Sequence, residues 1–307
     1  MSFFPCPDPQ AGDARSCDAV ETLVVPRTSD IGGLEVRRAL PTVQRRLVGP
    51  FIFFDRMGPA ILKSTDALDV RPHPHIGLST VTYLFDGHIR HRDSLGTAMV
   101  IEPGDLNLMT AGRGIVHSER TPEETRGREQ PISGLQTWLA LPDGAEEIDP
   151  AFAHTRAGDL PRLEGEGVTA RVVIGAYEGA ASPVAVPSDT LYVEVHLAPR
   201  ARFPLRTTAE ERAIYTLEGD VEIGGDVFPA DRLLVLRPGD DLAVTAGFGG
   251  ARFMLFGGAA LGSRRYIWWN FVSSSRERIE AAKEEWRRGR FDIVPGDESE
   301  FVPLPER

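Results

Sequence analysis

The feature that most constrains the fold is an internal repeat whose two copies span much of the chain. The triplet Pro-Gly-Asp at residues 103–105 is followed by Thr-Ala-Gly at residues 110–112. The same two triplets recur with the same spacing at residues 238–240 and 245–247. Because self-similarity within one chain indicates repeated structural units, the sequence predicts two domains of the same kind.

A second pair of matching segments supports the repeat and indicates β-structure. Tyr83 is followed by Asp86-Gly87, and Tyr215 is followed at the same distance by Glu218-Gly219. Short runs rich in Val, Thr, Ile, Tyr and Phe surround these segments, and glycines and prolines interrupt the runs, which is typical of strands bounded by turns. Asp-Gly also favours a tight hairpin turn. We therefore expect all-β domains, with residues 79–94 forming a hairpin.

One helix is expected near the C-terminus. Ser274 and Glu277 have the spacing of a capping box, and Gly289 can end a helix that begins there. Between them Ile279, Ala282 and Trp286 repeat on one face. The sequence predicts a short amphipathic helix that packs its apolar face on a β-domain, followed by an acidic tail.

The boundary between the two domains is expected in a connector. Residues 141–150 combine proline, glycine and acidic side chains, a composition typical of linkers. We place the boundary near residue 148. The first predicted domain covers residues 1–148, and the second covers residues 149–307, including the helix and the tail.

Composition excludes several classes of protein. The net charge of −11 and the lack of a basic block disfavour direct binding to nucleic acid. Only Cys6 and Cys17 occur, too few for a disulfide framework or a zinc finger, and this suits a reducing cytoplasm. No apolar run is long enough to cross a bilayer, and the first twenty residues do not resemble a secretion signal. A soluble, cytoplasmic protein with no membrane partner is expected.

Two short motifs predict a metal site. His73 and His75 are separated by one residue, and so are His117 and Glu119, so each pair projects from one face of an extended chain. Pro74 favours an extended backbone for the first pair. A single His-x-His is often a solvated strand face or a hydrogen-bonded pair, but a second pair with matching spacing favours metal binding. Three imidazoles and one carboxylate suit iron, manganese, cobalt, nickel, copper or zinc.

The second repeat does not carry the same ligand set. Aligned through the repeat, the positions of the four candidate ligands fall on Leu205, Thr207, Arg252 and Met254. These side chains replace every imidazole and the carboxylate. We therefore expect the first domain to bind metal and the second to lack metal ligands.

Taken together, these segments resemble the cupin superfamily and, within it, the pirin family of two-cupin proteins. Besides the histidine pair, the resemblance rests on residues 48–59, 80–84, 91–94, 109–119 and 268–272. It implies an all-β bicupin fold with two tandem antiparallel β-barrels of the jelly-roll or double-stranded β-helix type. In pirins three histidines and one glutamate hold a mononuclear iron. The resemblance therefore implies one Fe(II) ion, with the ligands His73, His75, His117 and Glu119.

The resemblance also implies two alternative functions. Quercetinase-like pirins imply a quercetin 2,3-dioxygenase activity, with a flavonol-like small molecule and dioxygen as substrates. Glu119 would then be both a metal ligand and the catalytic proton acceptor. Some pirins resemble regulators that bind transcription factors or metabolic enzymes, so the alternative is a metal- or redox-responsive protein with a protein partner and no turnover.

The remaining polar candidates are interpreted without a role in the site. His88 and His91 lie among arginines and an aspartate, which favours hydrogen bonds or ion pairs at the surface. His154 lies close to the connector and is expected to be solvated. Pirins often carry an arginine directly after the second histidine, whereas this chain has Ile76. That difference predicts an altered charge at the entrance of the site.

Overall fold

The structure is a computed structural model that describes residues 19–31, 34–65, 68–206, 209–237 and 242–306. Within these residues strands dominate and one short α-helix is present, as predicted. No helix in the described part is long and apolar enough to span a membrane. Some residues used in the sequence analysis lie outside the described ranges, namely Cys6, Cys17, Thr207 and residues 238–240.

The described strands are numbered in chain order. The strands that precede residue 160 are β1 (Val20–Val24), β2 (Arg27–Ile31), β3 (Leu34–Leu40), β4 (Phe51–Leu62), β5 (Asp69–His75), β6 (Leu78–Asp86), β7 (Ile89–Asp93), β8 (Ala98–Ile101), β9 (Leu106–Thr110), β10 (Ile115–Arg120), β11 (Gln130–Ala140) and β12 (Ala151–Thr155).

A 3-10 turn at Ala157–Asp159 leads into the second half. The later elements are β13 (Arg162–Gly165), β14 (Val168–Ile174), β15 (Ala176–Tyr177), β16 (Ala180–Ala181), β17 (Thr190–Leu197), β18 (Arg202–Pro204), β19 (Glu211–Ile223), β20 (Asp226–Phe228), β21 (Leu233–Leu236), β22 (Ala243–Gly258), β23 (Tyr266–Trp268), β24 (Phe271–Ser273) and α1 (Arg276–Arg287).

The chain forms two compact units that are not contiguous in sequence. The described residues of one unit, here called the N-terminal unit, are those within 26–160, 183–188 and 260–306. The described residues of the other, the C-terminal unit, are those within 19–25, 161–182 and 189–259. Strand β1 therefore belongs to the C-terminal unit and helix α1 to the N-terminal unit. The division of the chain into two contiguous domains near residue 148 stays a prediction.

Two antiparallel sheets make up most of the N-terminal unit. Among the described residues, one sheet has the order β12-β9-β6-β11-β4-β3-β2 and the other has the order β5-β10-β7-β8. Strands β5 and β10, which carry the candidate ligands, are therefore neighbours. Strand β11 lies at the centre of the larger sheet, and its residues Gln136 and Trp138 line a cavity that His73 and His75 also line.

The C-terminal unit is built on one larger antiparallel sheet. Its described strands follow the order β1-β21-β19-β22-β17-β14-β13, with β18 paired to β22 and β20 paired to β19. The core of this unit is apolar, and it includes Val193, Phe203, Leu205, Val244 and Phe253. Burial of such side chains is the main force that stabilises the unit.

The predicted hairpin at residues 79–94 is wrong. Strand β6 pairs with β9 and β11 in one sheet, whereas β7 pairs with β8 and β10 in the other. The Asp86-Gly87 turn therefore carries the chain from one sheet to the next. Gly87 has a φ of 79°, and a Cβ there would lie 2.2 Å from the carbonyl oxygen of Pro131, so this corner requires glycine.

The matching triplets do not mark equivalent strands. Thr110 ends β9, which pairs with β6 and β12. Thr245 instead lies in the first part of β22, which pairs with β18 and with the end of β19. In the N-terminal unit the strand equivalent to the first part of β22 is β10, which pairs with β5 and β7. The matching triplets therefore lie on strands that are not equivalent, since the first ends β9 and the second lies in the counterpart of β10. Alignment through the triplets misplaces the positions that correspond to the ligands.

Helix α1 begins one residue later than the capping pattern predicts. Its N-cap is Ser275, whose Oγ accepts the backbone N–H of Arg278 at 3.2 Å. Ile279 and Ala282 are buried in a cluster with Ile76 and Phe271. Ile76 therefore packs against α1 and β24.

Candidate metal centre

The candidate ligands lie on two adjacent strands of the smaller sheet. His73 on β5 is directly opposite His117 on β10, and His75 is opposite Ile115. In the described sheet β5 is an edge strand. An edge strand tolerates Pro74, because one side of that strand needs no N–H donor. The chain can therefore keep a stiff His-Pro-His segment within a sheet.

The three histidine side chains converge. One ring nitrogen from each of His73, His75 and His117 lies within 4.8 Å of the others. The Nε2 atoms of His75 and His117 are 3.1 Å apart. Two nitrogens that bind the same metal ion at about 2.1 Å, with a right angle between the two bonds, are about 3 Å apart. The cluster therefore has the spacing of a preformed ligand set.

Burial keeps these imidazoles neutral. The exposed fractions of His73, His75 and His117 are 7%, 1% and 1%. Burial lowers the pKa of His73 to about 4. Burial, and secondarily the charge of neighbouring histidines, lowers the pKa of His75 and His117 well below 6.5. Neutral imidazole is the form that binds a metal ion, so the residues present fit a divalent metal at neutral pH.

The Nδ1 atoms of two of these rings, His73 and His117, have hydrogen-bonding partners. The Nδ1 atom of His73 donates to the carbonyl oxygen of Arg71 at 2.8 Å, which leaves its Nε2 atom free for a metal. The Nδ1 atom of His117 is 3.5 Å from Nδ1 of His91, whose Nε2 atom is 2.9 Å from Oδ2 of Asp93.

His91 is the residue that the sequence analysis missed. We expected it at the surface, but only 3% of it is exposed. On β7, Ile89, His91 and Asp93 are buried while the alternating arginines are partly exposed. This alternation was a signal in the sequence that β7 has one interior face. His88, in contrast, pairs at the surface with Glu102 at 2.8 Å, as predicted.

Asp93 is fixed in place by the turn that follows β7. Its Oδ1 atom accepts the backbone N–H of Leu95 at 3.0 Å and that of Thr97 at 3.1 Å. Burial alone would raise the pKa of Asp93, but the contacts with His91 and Thr97 outweigh burial and lower it. The carboxylate is therefore ionised and acts only as an acceptor.

Glu119 lies on β10 but outside the converging group. It is 8% exposed, and the Nε2 atom of Gln136 donates to its two carboxylate oxygens at 3.3 and 3.5 Å. The hydroxyl of Thr82 donates to Oε1 of Gln136 at 2.8 Å, which fixes the orientation of that amide. Burial raises the pKa of Glu119, although the nearby His91 and the hydrogen bond from Gln136 oppose the shift.

His73, His75 and Glu119 line one cavity of about 560 Å³. One wall is a stacked pair, Phe53 and Trp138, whose ring centroids are 4.1 Å apart. Trp138 also contacts His75 edge to face, at 5.3 Å between centroids. The cavity therefore places a flat aromatic surface beside the candidate ligands.

Ile76 was expected to alter the charge at the entrance of the site, but its position in the structure contradicts this. Ile76 is fully buried and does not line the cavity, whereas Arg27, Arg38 and Arg71 do. Arg38 is held by a bidentate ion pair with Asp55 at 2.8 and 2.7 Å.

His154, which was expected to be solvated near the connector, has a side chain that is 24% exposed. It lies on β12, where its Nδ1 atom is 2.7 Å from Oδ1 of Asn107.

In the C-terminal unit the described counterparts of the ligands have other partners. Leu205 belongs to the apolar core, Met254 is fully buried, and Arg252 pairs with Glu194 and Glu218. Strand pairing instead makes Phe203 and Val244 the interior neighbours at the corresponding place. Both are apolar core residues.

Comparison with known proteins identifies the family. The family model described as Pirin matches residues 33–139, and the model described as Pirin C-terminal cupin domain matches residues 192–292. The chain belongs to the pirin family. A pirin-like protein of Caulobacter vibrioides is 46% identical over 283 residues, which cover 91% of this chain and 97% of that protein.

Two other similar pirin relatives have names that mention an activity. A putative quercetin 2,3-dioxygenase of Pseudomonas aeruginosa is 39% identical over 292 residues, covering 92% of this chain and 90% of that protein. The crystal structure of quercetin 2,3-dioxygenase from Acinetobacter baumannii has a TM-score of 0.85 and 33% identity, covering 93% and 96% of the two chains. The mostly β fold with two cupin domains is thereby confirmed.

Proposed function

We propose that this pirin is a metal-dependent dioxygenase that cleaves flavonols, or related small aromatic molecules, with dioxygen. The observation that carries the proposal is the buried three-histidine cluster, two members of which, His73 and His75, line an aromatic cavity. Fe(II) is the metal that we propose, held by His73, His75 and His117 with Glu119 as the fourth ligand. Manganese, cobalt, nickel, copper and zinc are the alternatives for the same donor set.

The residues of the chain prepare the site before a metal arrives. Burial keeps the imidazoles unprotonated, so binding releases no proton from them at neutral pH. The carbonyl of Arg71 holds the ring of His73. A divalent metal held by these residues would supply Lewis acidity to a bound substrate.

Glu119 is proposed to accept the proton of the flavonol 3-hydroxyl. Its carboxylate faces the cavity and is oriented by Gln136, which Thr82 orients in turn. A general base must lie within hydrogen-bond reach of the proton that it removes, and the shared cavity provides a place for the substrate. The regulatory alternative has no comparable support in the described residues.

The cavity suits a planar aromatic substrate. Its volume lies within the range of about 300 to 1,000 Å³ that small-molecule sites occupy. The stacked face of Phe53 and Trp138 can pack against a flavonol ring, because offset stacking of aromatic rings is favourable. Polar side chains that line the cavity can form hydrogen bonds with the hydroxyl groups of a flavonol and so orient it.

The test combines metal analysis with turnover. Protein purified without a metal-affinity column should contain about one equivalent of iron per chain. It should consume oxygen with quercetin and release carbon monoxide. Bound metal without oxygen uptake for any member of a flavonol panel would refute the dioxygenase and favour the regulatory alternative. Absence of bound metal, even after reconstitution, would refute the metal centre itself.

A further inference from the structure

The strongest unexplained feature is a buried row of hydrogen-bonding side chains behind the candidate ligand His117. Its Nδ1 atom faces Nδ1 of His91 at 3.5 Å, and Nε2 of His91 faces Asp93 at 2.9 Å. The ring of His91 stacks on Phe152 with centroids 4.7 Å apart, which restricts its rotation. The exposed fractions of His117, His91 and Asp93 are 1%, 3% and 0%.

The positions of the protons follow from the acceptor at the end of the row. Asp93 is an acceptor only, so the proton on His91 sits on Nε2. The Nδ1 atom of a neutral His91 then carries a lone pair and accepts a hydrogen bond. His117 can satisfy it only with a proton on its own Nδ1 atom. The Nε2 atom of His117 is left with a lone pair, and this is the atom 3.1 Å from Nε2 of His75.

We propose that His91 and Asp93 are positioning residues that set the tautomer of His117 and so make its Nε2 atom a metal ligand. The proposal rests on the metal centre described above but not on any particular reaction. Histidine ligands commonly donate their outer N–H to a carboxylate or carbonyl. Here the carboxylate acts through a second imidazole, which extends the support one residue further from the metal.

The most selective test is Asp93→Asn, which preserves shape and reverses one hydrogen bond. The side-chain oxygen of the new amide can still accept from Leu95 and Thr97, so the turn is retained. Its NH₂ group now faces His91 and needs an acceptor there, which moves the proton of His91 to Nδ1. His117 must then keep its own proton on Nε2, the ligating atom.

The expected result is a loss of metal affinity without loss of fold. We expect the zinc affinity of Asp93→Asn, measured by competition with a chromophoric chelator, to fall by about 10- to 100-fold. The matched control is Asp86→Asn, because Asp86 also accepts a backbone N–H in a turn, from Gly87 at 2.8 Å, but lies outside the row. This control should bind zinc like the wild type, and the metal-free proteins should unfold at similar temperatures.

Substitutions of His91 give an independent test. His91→Leu removes the acceptor and should weaken zinc binding as Asp93→Asn does. His91→Asn can place its side-chain oxygen near the former Nδ1 atom and should recover much of the affinity. Both variants lose the stacking on Phe152, so a purely structural role predicts equal effects.

A spectroscopic signature separates tautomer control from packing. In the zinc-loaded, nitrogen-15-labelled protein, the Nδ1–H protons of His73 and His117 should both exchange slowly with water. His91→Leu should abolish the slow exchange at His117 only, because His73 keeps its bond to the carbonyl of Arg71. The His73 signal is thus an internal reference.

Failure of the proposal is distinguishable from failure of the metal centre. If the wild type binds no zinc, the centre itself is refuted, and the positioning role falls with it. If the wild type binds zinc and both Asp93→Asn and His91→Leu bind it equally well, the positioning role is refuted while the centre stands. Equal weakening by His91→Leu and His91→Asn, with normal binding by Asp93→Asn, would also overturn it.

Discussion

Acid should destabilise the metal-free protein through its buried histidines. The pKa of His73 is lowered by burial from 6.5 to about 4. Between these values the unfolded chain binds the proton and the folded chain does not. Stability is therefore intact above pH 6.5 and is lost as the pH falls toward 4. For His73 alone, a change from pH 7 to pH 5 costs about 2 kcal/mol.

The other two ligands should increase the loss. The pKa values of His75 and His117 are also lowered, so their contributions have the same sign. Glu119 acts in the opposite direction, because burial raises its pKa, and a carboxyl that is easier to protonate when folded gains stability in acid. A comparison of variants is therefore needed to isolate one histidine.

Urea unfolding of the metal-free protein at pH 7, 6 and 5 measures the effect. His73→Gln removes one titrating imidazole and keeps a polar side chain. Between pH 7 and pH 5 the wild type should lose about 2 kcal/mol more unfolding free energy than His73→Gln. Parallel stability curves for the two proteins would refute the argument that burial suppresses the protonation of His73.

The remaining predictions concern the metal and its chemistry. His75→Ala or His117→Ala should abolish metal binding while circular dichroism still shows a folded β protein, and near-stoichiometric metal in either variant would contradict the ligand assignment. A second tightly bound transition metal in the C-terminal unit would contradict the asymmetry. Glu119→Gln should lose rate with quercetin more than it loses metal, because an amide cannot accept the flavonol proton. Unchanged activity per bound metal would leave Glu119 without a role as base.

The pairing of His73 with His75 could be predicted because its geometry is local. Side chains two residues apart in a strand share a face whatever the rest of the chain does, so His73 with His75 required only that β5 be extended. That β5 and β10 would be neighbours came from the resemblance to pirins. The cluster of three histidines is where local pattern and family agreed.

Errors arose where pairing between distant segments decides the structure. Asp86-Gly87 favours a hairpin locally, but β6 gains more partners by joining β9 and β11. The repeated triplets are only three residues long, and the second Thr-Ala-Gly lies in β22 whereas the first begins at the end of β9, so matching them pairs strands that are not equivalent. His91 was misassigned because Arg90 and Arg92 dominate its neighbourhood in sequence, whereas its own side of β7 faces the interior.

The buried cluster is better explained by binding than by stability. A neutral imidazole in an apolar interior needs a partner for each ring nitrogen, and an unsatisfied buried polar atom costs about 1 to 3 kcal/mol. The Nε2 atoms of His75 and His117 face each other at 3.1 Å, and with His117 protonated on Nδ1 its Nε2 atom is an acceptor. Nε2 of His75 donates to that atom when it carries the proton, and when His75 is protonated on Nδ1 instead, the two Nε2 atoms are converging acceptors that a cation satisfies together. Because apolar residues occupy the corresponding interior of the C-terminal unit, the cupin fold itself does not require such a cluster.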